Sequence, residues 1–154
     1  MSSKSKVKKP NLMVIGWIEH IDLPDLDLHN LRTKIDTGAR TSALHATHIE
    51  TFTQGEDPWV SFQVQFEDDA LSLSMKAPVY DVRHIKNTSG IPEKRIVIRT
   101  PLQIAGRIWP ISVSLTDRSN MRFPMIIGRS ALKKQNIAVH TRRANLAAMH
   151  AAST

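Results

Sequence analysis

Short segments in which apolar and polar residues alternate run along most of this chain, and this pattern predicts β-strands. The clearest segment is Trp59 to Phe66 (WVSFQVQF), and Leu71 to Met75 (LSLSM) repeats the alternation after an acidic turn. Together they predict a β-hairpin over residues 59–75. The other predicted strands are Leu12–Ile21, Leu31–Ile35, Thr41–Ile49, Val79–Ile85, Arg95–Ile98, Pro101–Ile104, Ile108–Leu115, Phe123–Ile127 and Ile137–His140.

Residues that favour turns separate these segments. Asp22 to Asn30 contains a proline and several aspartates and predicts a turn region. Lys86 to Pro92 predicts a long polar tip on a second hairpin. Ser130 to Gln135 predicts one short helix, and Asn145 to Met149 a frayed one. Many short strands at roughly ten-residue spacing predict an all-β barrel or sandwich.

The length of 154 residues and a hydrophobic content of 41% predict one domain with a real core. The Ser/Lys-rich residues 1–10 predict a flexible basic N-terminal arm, residues 11–143 the folded domain, and residues 144–154 a C-terminal tail.

The sequence contains no cysteine, which excludes disulfides, thiolate zinc sites and cysteine nucleophiles. No signal peptide is recognisable at Met1 to Lys9, and no apolar run is long enough to span a membrane. We therefore expect a cytoplasmic protein with no membrane partner.

Charge is distributed unevenly within a net value of +7. Residues 1–81 carry 8 Lys/Arg against 12 Asp/Glu, a net of −4, whereas residues 82–154 carry 13 against 2, a net of +11. This asymmetry indicates an acidic partner: nucleic acid, an anionic membrane or an acidic polypeptide. The alternative is a solvated basic surface that keeps the protein soluble.

The segment Ile35-Asp36-Thr37-Gly38-Ala39 is the strongest candidate for chemistry, because an aspartate ends an apolar strand there. On its own, the same pattern is typical of a β-turn closed by a hydrogen bond to the Asp side chain. Its context is a second segment some 90 residues later, Met125-Ile126-Ile127-Gly128-Arg129.

Together these segments resemble the retropepsin family of aspartic peptidases over roughly residues 12–140. That family has an Asp-Thr-Gly-Ala turn, a glycine-containing flap hairpin and a late apolar-apolar-Gly-Arg motif that opens a short helix. Asp36 to Ala39, Asn87 to Pro92 and Ile126 to Arg129 match these elements in the same order.

The chain also resembles a bacterial retropepsin-like family often labelled an ATP-dependent zinc protease. The resembling runs are Lys34 to Ala46 (KIDTGARTSALHA), Leu115 to Arg118 (LTDR) and Phe123 to Arg129 (FPMIIGR). Some members of that family accompany a ligase that adds glutamates to a small-subunit ribosomal protein. For them, the resemblance implies removal of the glutamate tail.

The resemblance implies an all-β, retropepsin-like acid-protease barrel with one lobe per chain, which is active as a homodimer. Two copies of the catalytic carboxylate would share one proton, and one would activate a water molecule. The implied catalytic residues are Asp36, Thr37 and Gly38; the implied substrate-binding residues are Ala39, Arg40, Thr41 and the flap residues Asn87, Thr88, Ser89 and Gly90; the implied structural motif is Ile126, Ile127, Gly128 and Arg129.

One position departs from the family pattern. Typical retropepsins have an acidic residue directly after the Asp-Thr-Gly-Ala turn, where it pairs with the arginine of the Gly-Arg motif. Arg40 occupies that position here, so Arg129 needs another partner. Arg40 either faces the cleft and binds a substrate carboxylate or pairs with Asp81 or Asp117.

No cofactor or metal is expected, because the seven histidines form no H-E-x-x-H pattern and no glycine-rich phosphate loop is present. The expected partners are a second copy and an acidic polypeptide, such as a glutamylated ribosomal protein, with nucleic acid nearby only through the ribosome. The alternative is a non-catalytic basic β-barrel that binds RNA or ribosomes. Against it, aromatic residues make up only 5% and do not interleave with the basic ones.

Overall fold

A computed structural model describes residues 10–65, 72–86, 89–118 and 121–151. In those ranges, the strands are β1 Met13–Gly16, β2 Ile18–Leu23, β3 Leu28–Asp36, β4 Ser42–His45, β5 Thr47–Gln54, β6 Asp57–Gln65, β7 Ser72–Pro78, β8 Asp81–Lys86, β9 Pro92–Ile104, β10 Arg107–Thr116, β11 Met125–Gly128 and β12 Ile137–His140. The helices are α1 Arg129–Leu132 and α2 Ala147–Ala151, and a 3-10 turn spans Pro24–Leu26.

The main sheet follows the order β10-β4-β11-β3-β2-β9-β8, and β9 also pairs with β10. Because of this second pairing, the six strands β10, β4, β11, β3, β2 and β9 close into a barrel. Strand β8 pairs with β9 but is not part of the closed ring. Side chains with no exposed surface fill the barrel, among them Leu44, Ile98, Val113 and Ile127. The all-β barrel with one short helix after the Gly-Arg motif is therefore confirmed.

A separate antiparallel sheet, β5-β6-β7, contains the hairpin predicted over residues 59–75. Val60, Phe62 and Val64 are buried, and the residues between them are more exposed. The alternation thus identified the inward face correctly. The acidic turn predicted at residues 67–69 lies outside the described residues.

The prediction of one strand over Leu12–Ile21 is wrong, because the strand breaks at Trp17 and changes partners there. Before the break, β1 runs parallel to β12; after it, β2 pairs with β3. The Trp17 N–H donates to the carbonyl of Arg143 at 3.0 Å, and the Trp17 carbonyl accepts from Ile35 N–H at 2.8 Å. Hydrogen bonds to residues distant in sequence therefore determine where the strand breaks.

Other boundaries also differ from the predictions. Strand β3 begins at Leu28 inside the predicted turn region, because Leu26 and Leu28 are buried. The predicted strand Thr41–Ile49 divides into β4 and β5 at Ala46. The two segments predicted at Arg95–Ile98 and Pro101–Ile104 belong to one strand, β9. Pro101 fits within it because it lies opposite Pro110 of β10, so the two residues that lack an N–H face each other.

The chain beyond residue 143 packs against the start of the domain. Leu146 and Ala147 are buried, and their N–H groups donate to the buried carboxylate of Glu19 at 2.9 and 3.2 Å. The same carboxylate accepts from Gly16 N–H at 2.6 Å. The division of the chain at residues 10 and 143 stays a prediction.

Within the described ranges, no helix is long and apolar enough to cross a membrane.

Candidate active site

Asp36 lies at the end of β3, where the main sheet brings three distant segments together. Strand β11 lies between β3 and β4, parallel to the first and antiparallel to the second. In this register Ile127 is opposite Ile35, and Gly128 is opposite Asp36. The connection from β3 to β4 must therefore pass the end of β11, which brings the Asp-Thr-Gly turn next to the Gly-Arg motif.

A tight turn fixes the Asp36 side chain. Its Oδ1 accepts from Gly38 N–H at 3.1 Å, and its backbone carbonyl accepts from Ala39 N–H at 3.1 Å. The hydrogen bond expected of an ordinary Asp turn is therefore present. It uses one carboxylate oxygen and leaves the other, Oδ2, pointing elsewhere. The Asp36 side chain is 29% exposed, so a reactant can reach it.

Lys34 provides a positive charge beside Asp36 that the sequence reasoning missed. Its Nζ lies 3.6 Å from Asp36 Oδ2. Residues two apart on a strand point to the same face, so this pair could have been found from the spacing alone. The ammonium group thus lies within ion-pair distance of the carboxylate oxygen that the turn leaves unused.

Backbone hydrogen bonds attach the Asp-Thr-Gly turn to the start of α1. Arg129 N–H donates to the Ala39 carbonyl at 2.9 Å, and Ser130 N–H donates to the Arg40 carbonyl at 3.1 Å. Gly128 N–H donates to Ser42 Oγ at 3.0 Å. These bonds connect the two motifs directly and make the turn rigid.

The backbone of Thr41 lies so close to position 128 that only glycine fits there. A Cβ at this position would lie 2.5 Å from the carbonyl oxygen of Thr41 and 2.7 Å from its nitrogen. Backbone atoms cannot move aside as a flexible side chain could. Beside it, Ile127 is fully buried and Ile126 is half-buried.

Arg129 finds its partner in the Asp-Thr-Gly turn itself. Its Nη1 lies 3.3 Å from the Gly38 carbonyl and 3.5 Å from the Thr37 carbonyl, in donor geometry to both. Main-chain oxygens thus occupy the place of the acidic side chain expected in typical retropepsins.

The expected substrate-binding residues lie on two sides of the turn. Ala39 is half-buried, whereas Arg40 and Thr41 are exposed. Asp81, one of the alternative partners of Arg40, pairs with Arg83 at 3.1 Å, and no ion pair of Arg40 occurs within the described ranges. The structure therefore leaves the Arg40 side chain available on the surface.

The predicted flap hairpin is formed by β8 and β9, which pair as far as Lys86 and Pro92. At its tip, Ser89 and Gly90 are exposed, and Gly90 has a positive φ of 78° that suits glycine. The remaining expected flap residues, Asn87 and Thr88, lie outside the described residues.

A groove of about 610 Å³ begins at Thr37 and runs toward β12. Leu132, Ile137 and Val139 provide its apolar surface, with Arg129 at one side. Ile137 and Val139 are only partly buried. The groove thus joins the Asp-Thr-Gly turn to the last strand.

The described residues contain no group of three or more His, Asp or Glu side chains that could hold a metal ion. His45 and His48 are the pair closest in sequence, and both contact other groups of the protein. His45 Nδ1 accepts from Arg118 N–H at 3.0 Å, and His48 contacts the Thr47 hydroxyl.

Comparison with known families matches residues 14–150 to a family described as the RimB-like retropepsin-like aspartic endopeptidase family. Among solved structures, a Legionella pneumophila protein described as of unknown function superposes with a TM-score of 0.72 at 26% identity. The superposition covers 87% of this chain and 97% of that protein.

Among curated proteins, the chain is 40% identical over 121 residues to a probable alpha-L-glutamate ligase from Desulfotalea psychrophila. It is 38% identical over 122 residues to a protein of the same description from Parasynechococcus marenigrum. These matches cover 77% and 78% of this chain but only 26% of each relative. The chain therefore spans about a quarter of the length of these relatives.

Proposed function

The chain belongs to the RimB-like family of retropepsin-like aspartic endopeptidases, and from this membership we propose that it is a peptidase with Asp36 as its catalytic carboxylate. The observation that carries the proposal is the turn at Asp36. The Gly38 amide holds one carboxylate oxygen, the other lies 3.6 Å from Lys34 Nζ, and the side chain is 29% exposed. A carboxylate held in this way is oriented before any substrate arrives.

The proposed catalyst is a homodimer, because the sequence contains one Asp-Thr-Gly and an aspartic dyad needs two carboxylates. Two carboxylates in close contact share one proton, since like charges at that distance cannot both ionise. The ionised carboxylate takes a proton from the attacking water, and the protonated one polarises the scissile carbonyl. The groove from Thr37 to Val139 supports this arrangement, because a second copy seated there would lie next to the catalytic turn.

The proposed substrate is an acidic, glutamate-rich peptide, such as a polyglutamate tail on a ribosomal protein. Three observations support it. Residues 82–154 are net +11. The exposed Arg40 directly follows the catalytic turn. The relatives named probable alpha-L-glutamate ligases contain a region similar to this chain, and a peptidase domain within such a protein would meet glutamate chains. A chain without cysteine suits the reducing cytoplasm in which ribosomes work.

The experiment that tests the substrate class compares cleavage of a Glu-rich peptide with that of a matched Gln-rich peptide over a salt series. Wild type is expected to prefer the Glu-rich peptide at low salt, and added salt should reduce the preference. One charge-assisted hydrogen bond contributes about 1.5 kcal/mol or more, so Arg40→Ala should lose roughly tenfold in kcat/KM on the Glu-rich peptide. Equal cleavage of both peptides at low salt would reject the acidic substrate.

A non-catalytic barrel that binds RNA or ribosomes is the competing function, and the same protein preparations can test it. The peptidase proposal expects peptide cleavage, with RNA binding no tighter than binding of a peptide of equal charge. Salt-dependent RNA binding without cleavage of any peptide would favour the competing function.

A further inference from the structure

A larger cavity of about 740 Å³ opens on the other side of Arg40, between the flap strands, β10 and the end of α1. The charged residues that line it are all basic: Arg40, Arg83, Arg99, Lys133 and Lys134. No acidic residue of the described part of the chain belongs to its lining. A cavity with this lining attracts anions, because the positive fields of the side chains add inside a concave surface.

Two of the five basic side chains are held in place before any ligand binds. Arg99 Nη1 donates to Ser112 Oγ at 2.9 Å, and its guanidinium lies 5.5 Å from the centre of the Tyr80 ring. Arg83 is oriented by its ion pair with Asp81. A guanidinium fixed in this way loses little conformational freedom when it binds a carboxylate.

The other three basic residues, Arg40, Lys133 and Lys134, are exposed and form no ion pair within the described ranges. They reach the cavity from the catalytic turn and from the chain just after α1. The wall between them is rigid, because the mostly buried Trp109 donates from Nε1 to the Ala131 carbonyl at 2.8 Å. The cavity thus combines fixed and available positive charges around a firm apolar wall.

We propose that this basic cavity is a subsite that holds glutamate side chains of the substrate several residues away from the scissile bond. The inference rests on the proposed acidic substrate and adds the surface that binds its carboxylates. Asp36 to Ala39 form a tight turn, so the Cα atoms of Asp36 and Arg40 lie at most about 11 Å apart. An extended substrate covers that distance with about three residues. The subsite therefore senses the length of the acidic chain beyond the cleaved bond.

The first test is binding, measured with the catalytically inactive Asp36→Asn protein and oligoglutamates of two to eight residues. Affinity should rise with length and level off at about five or six glutamates. Lys134→Gln in this background should weaken binding of octaglutamate about fivefold at low salt. Arg83→Gln/Lys134→Gln should weaken it more than tenfold. Lys133 stays unchanged because it also borders the groove that starts at Thr37.

Lys76→Gln is the matched control, since it removes one exposed lysine from the separate sheet β5-β6-β7. It should leave the affinity for octaglutamate unchanged. An oligouridylate of equal charge is the second control. Tighter binding of this RNA than of octaglutamate would overturn the assignment to an acidic peptide. The assignment would also fail if Lys76→Gln lowered the affinity for octaglutamate as much as Lys134→Gln does.

The second test is cleavage by proteins with Asp36 intact. Wild-type kcat/KM should rise with tail length, whereas Arg83→Gln/Lys134→Gln should cleave short tails normally and gain little from longer ones. Cleavage with the same length dependence in wild type and variant would overturn the subsite and leave the peptidase standing. Length-dependent binding without any cleavage would overturn the peptidase and leave the subsite standing. Absence of octaglutamate binding would overturn the subsite.

Discussion

Nη1 of Arg129 lies 3.3 Å from the backbone carbonyl oxygen of Gly38, although 91 positions separate the two residues along the chain. This contact ties the Gly-Arg motif to the main chain of the Asp-Thr-Gly turn. The side chain at position 40 is therefore not needed to hold Arg129. An arginine can occupy that position and remain exposed, which is the condition for Arg40 to meet a substrate.

Replacing Arg129 by glutamine is expected to loosen the turn. The guanidinium contacts with the carbonyls of Gly38 and Thr37 are exposed and long, so we expect a loss of about 1 kcal/mol in the free energy of unfolding. We expect kcat to fall more than stability suggests, because the turn positions Asp36. Urea unfolding and peptide turnover measure the two effects. Arg142→Gln, at another exposed arginine, is the control, and unchanged kcat in Arg129→Gln would contradict the role of the contact.

Local patterns predicted the individual strands, the hairpin over residues 59–75 and the place of Asp36 at the end of an apolar strand. The pattern left barrel or sandwich open, and the resemblance to the retropepsin family implied the barrel. Alternation alone identified the buried face of Val60, Phe62 and Val64. The break at Trp17 could not be predicted, since it depends on the Arg143 carbonyl and on Ile35, both distant in sequence. The main-chain partner of Arg129 could not be predicted either, because an alternation pattern contains no information on which carbonyls face a side chain.

Replacing Gly128 by alanine is expected to destabilise the fold by about 2–3 kcal/mol, because the new Cβ would overlap the backbone of Thr41. Thermal and urea unfolding measure the change. Gly55→Ala is the comparison: its φ is +65°, but nothing lies within 4 Å of the added Cβ. That variant should lose only about 1 kcal/mol from backbone strain. Equal stability losses in the two variants would argue against the close approach at Gly128.

Replacing Glu19 by glutamine is expected to release the C-terminal segment from β1 and β2. The carboxylate accepts N–H groups from Gly16, Leu146 and Ala147, and an amide would turn a donor toward at least one of them. Each unsatisfied buried group costs about 1–3 kcal/mol. The expected results are a lower Tm and faster tryptic cleavage after Arg142 or Arg143. Glu50→Gln, on exposed β5, should change neither, and a Glu19→Gln protein that behaves in the same way would exclude this role for Glu19.

Dilution is expected to reduce the total activity more steeply than linearly once the concentration falls below the dimer dissociation constant, because one chain provides only one carboxylate. Val139→Asp should shift the loss to higher concentration by placing a charge in the groove beside Thr37. Leu73→Asp, on the separate sheet β5-β6-β7, is the control. Sedimentation measured alongside turnover tests the dimer, and a fully active monomer would refute it.

The measurement that tests the central claim most directly is peptide turnover by Asp36→Asn in the presence and absence of a metal chelator. The substitution keeps the shape of the side chain and removes the carboxylate that acts as acid and base. We expect a folded protein with the wild-type circular dichroism spectrum and no detectable cleavage of Glu-rich peptides, together with a wild-type enzyme that the chelator does not inhibit. A soluble Asp36→Asn protein with wild-type turnover would contradict the aspartic mechanism, as would wild-type activity that the chelator abolishes and zinc restores.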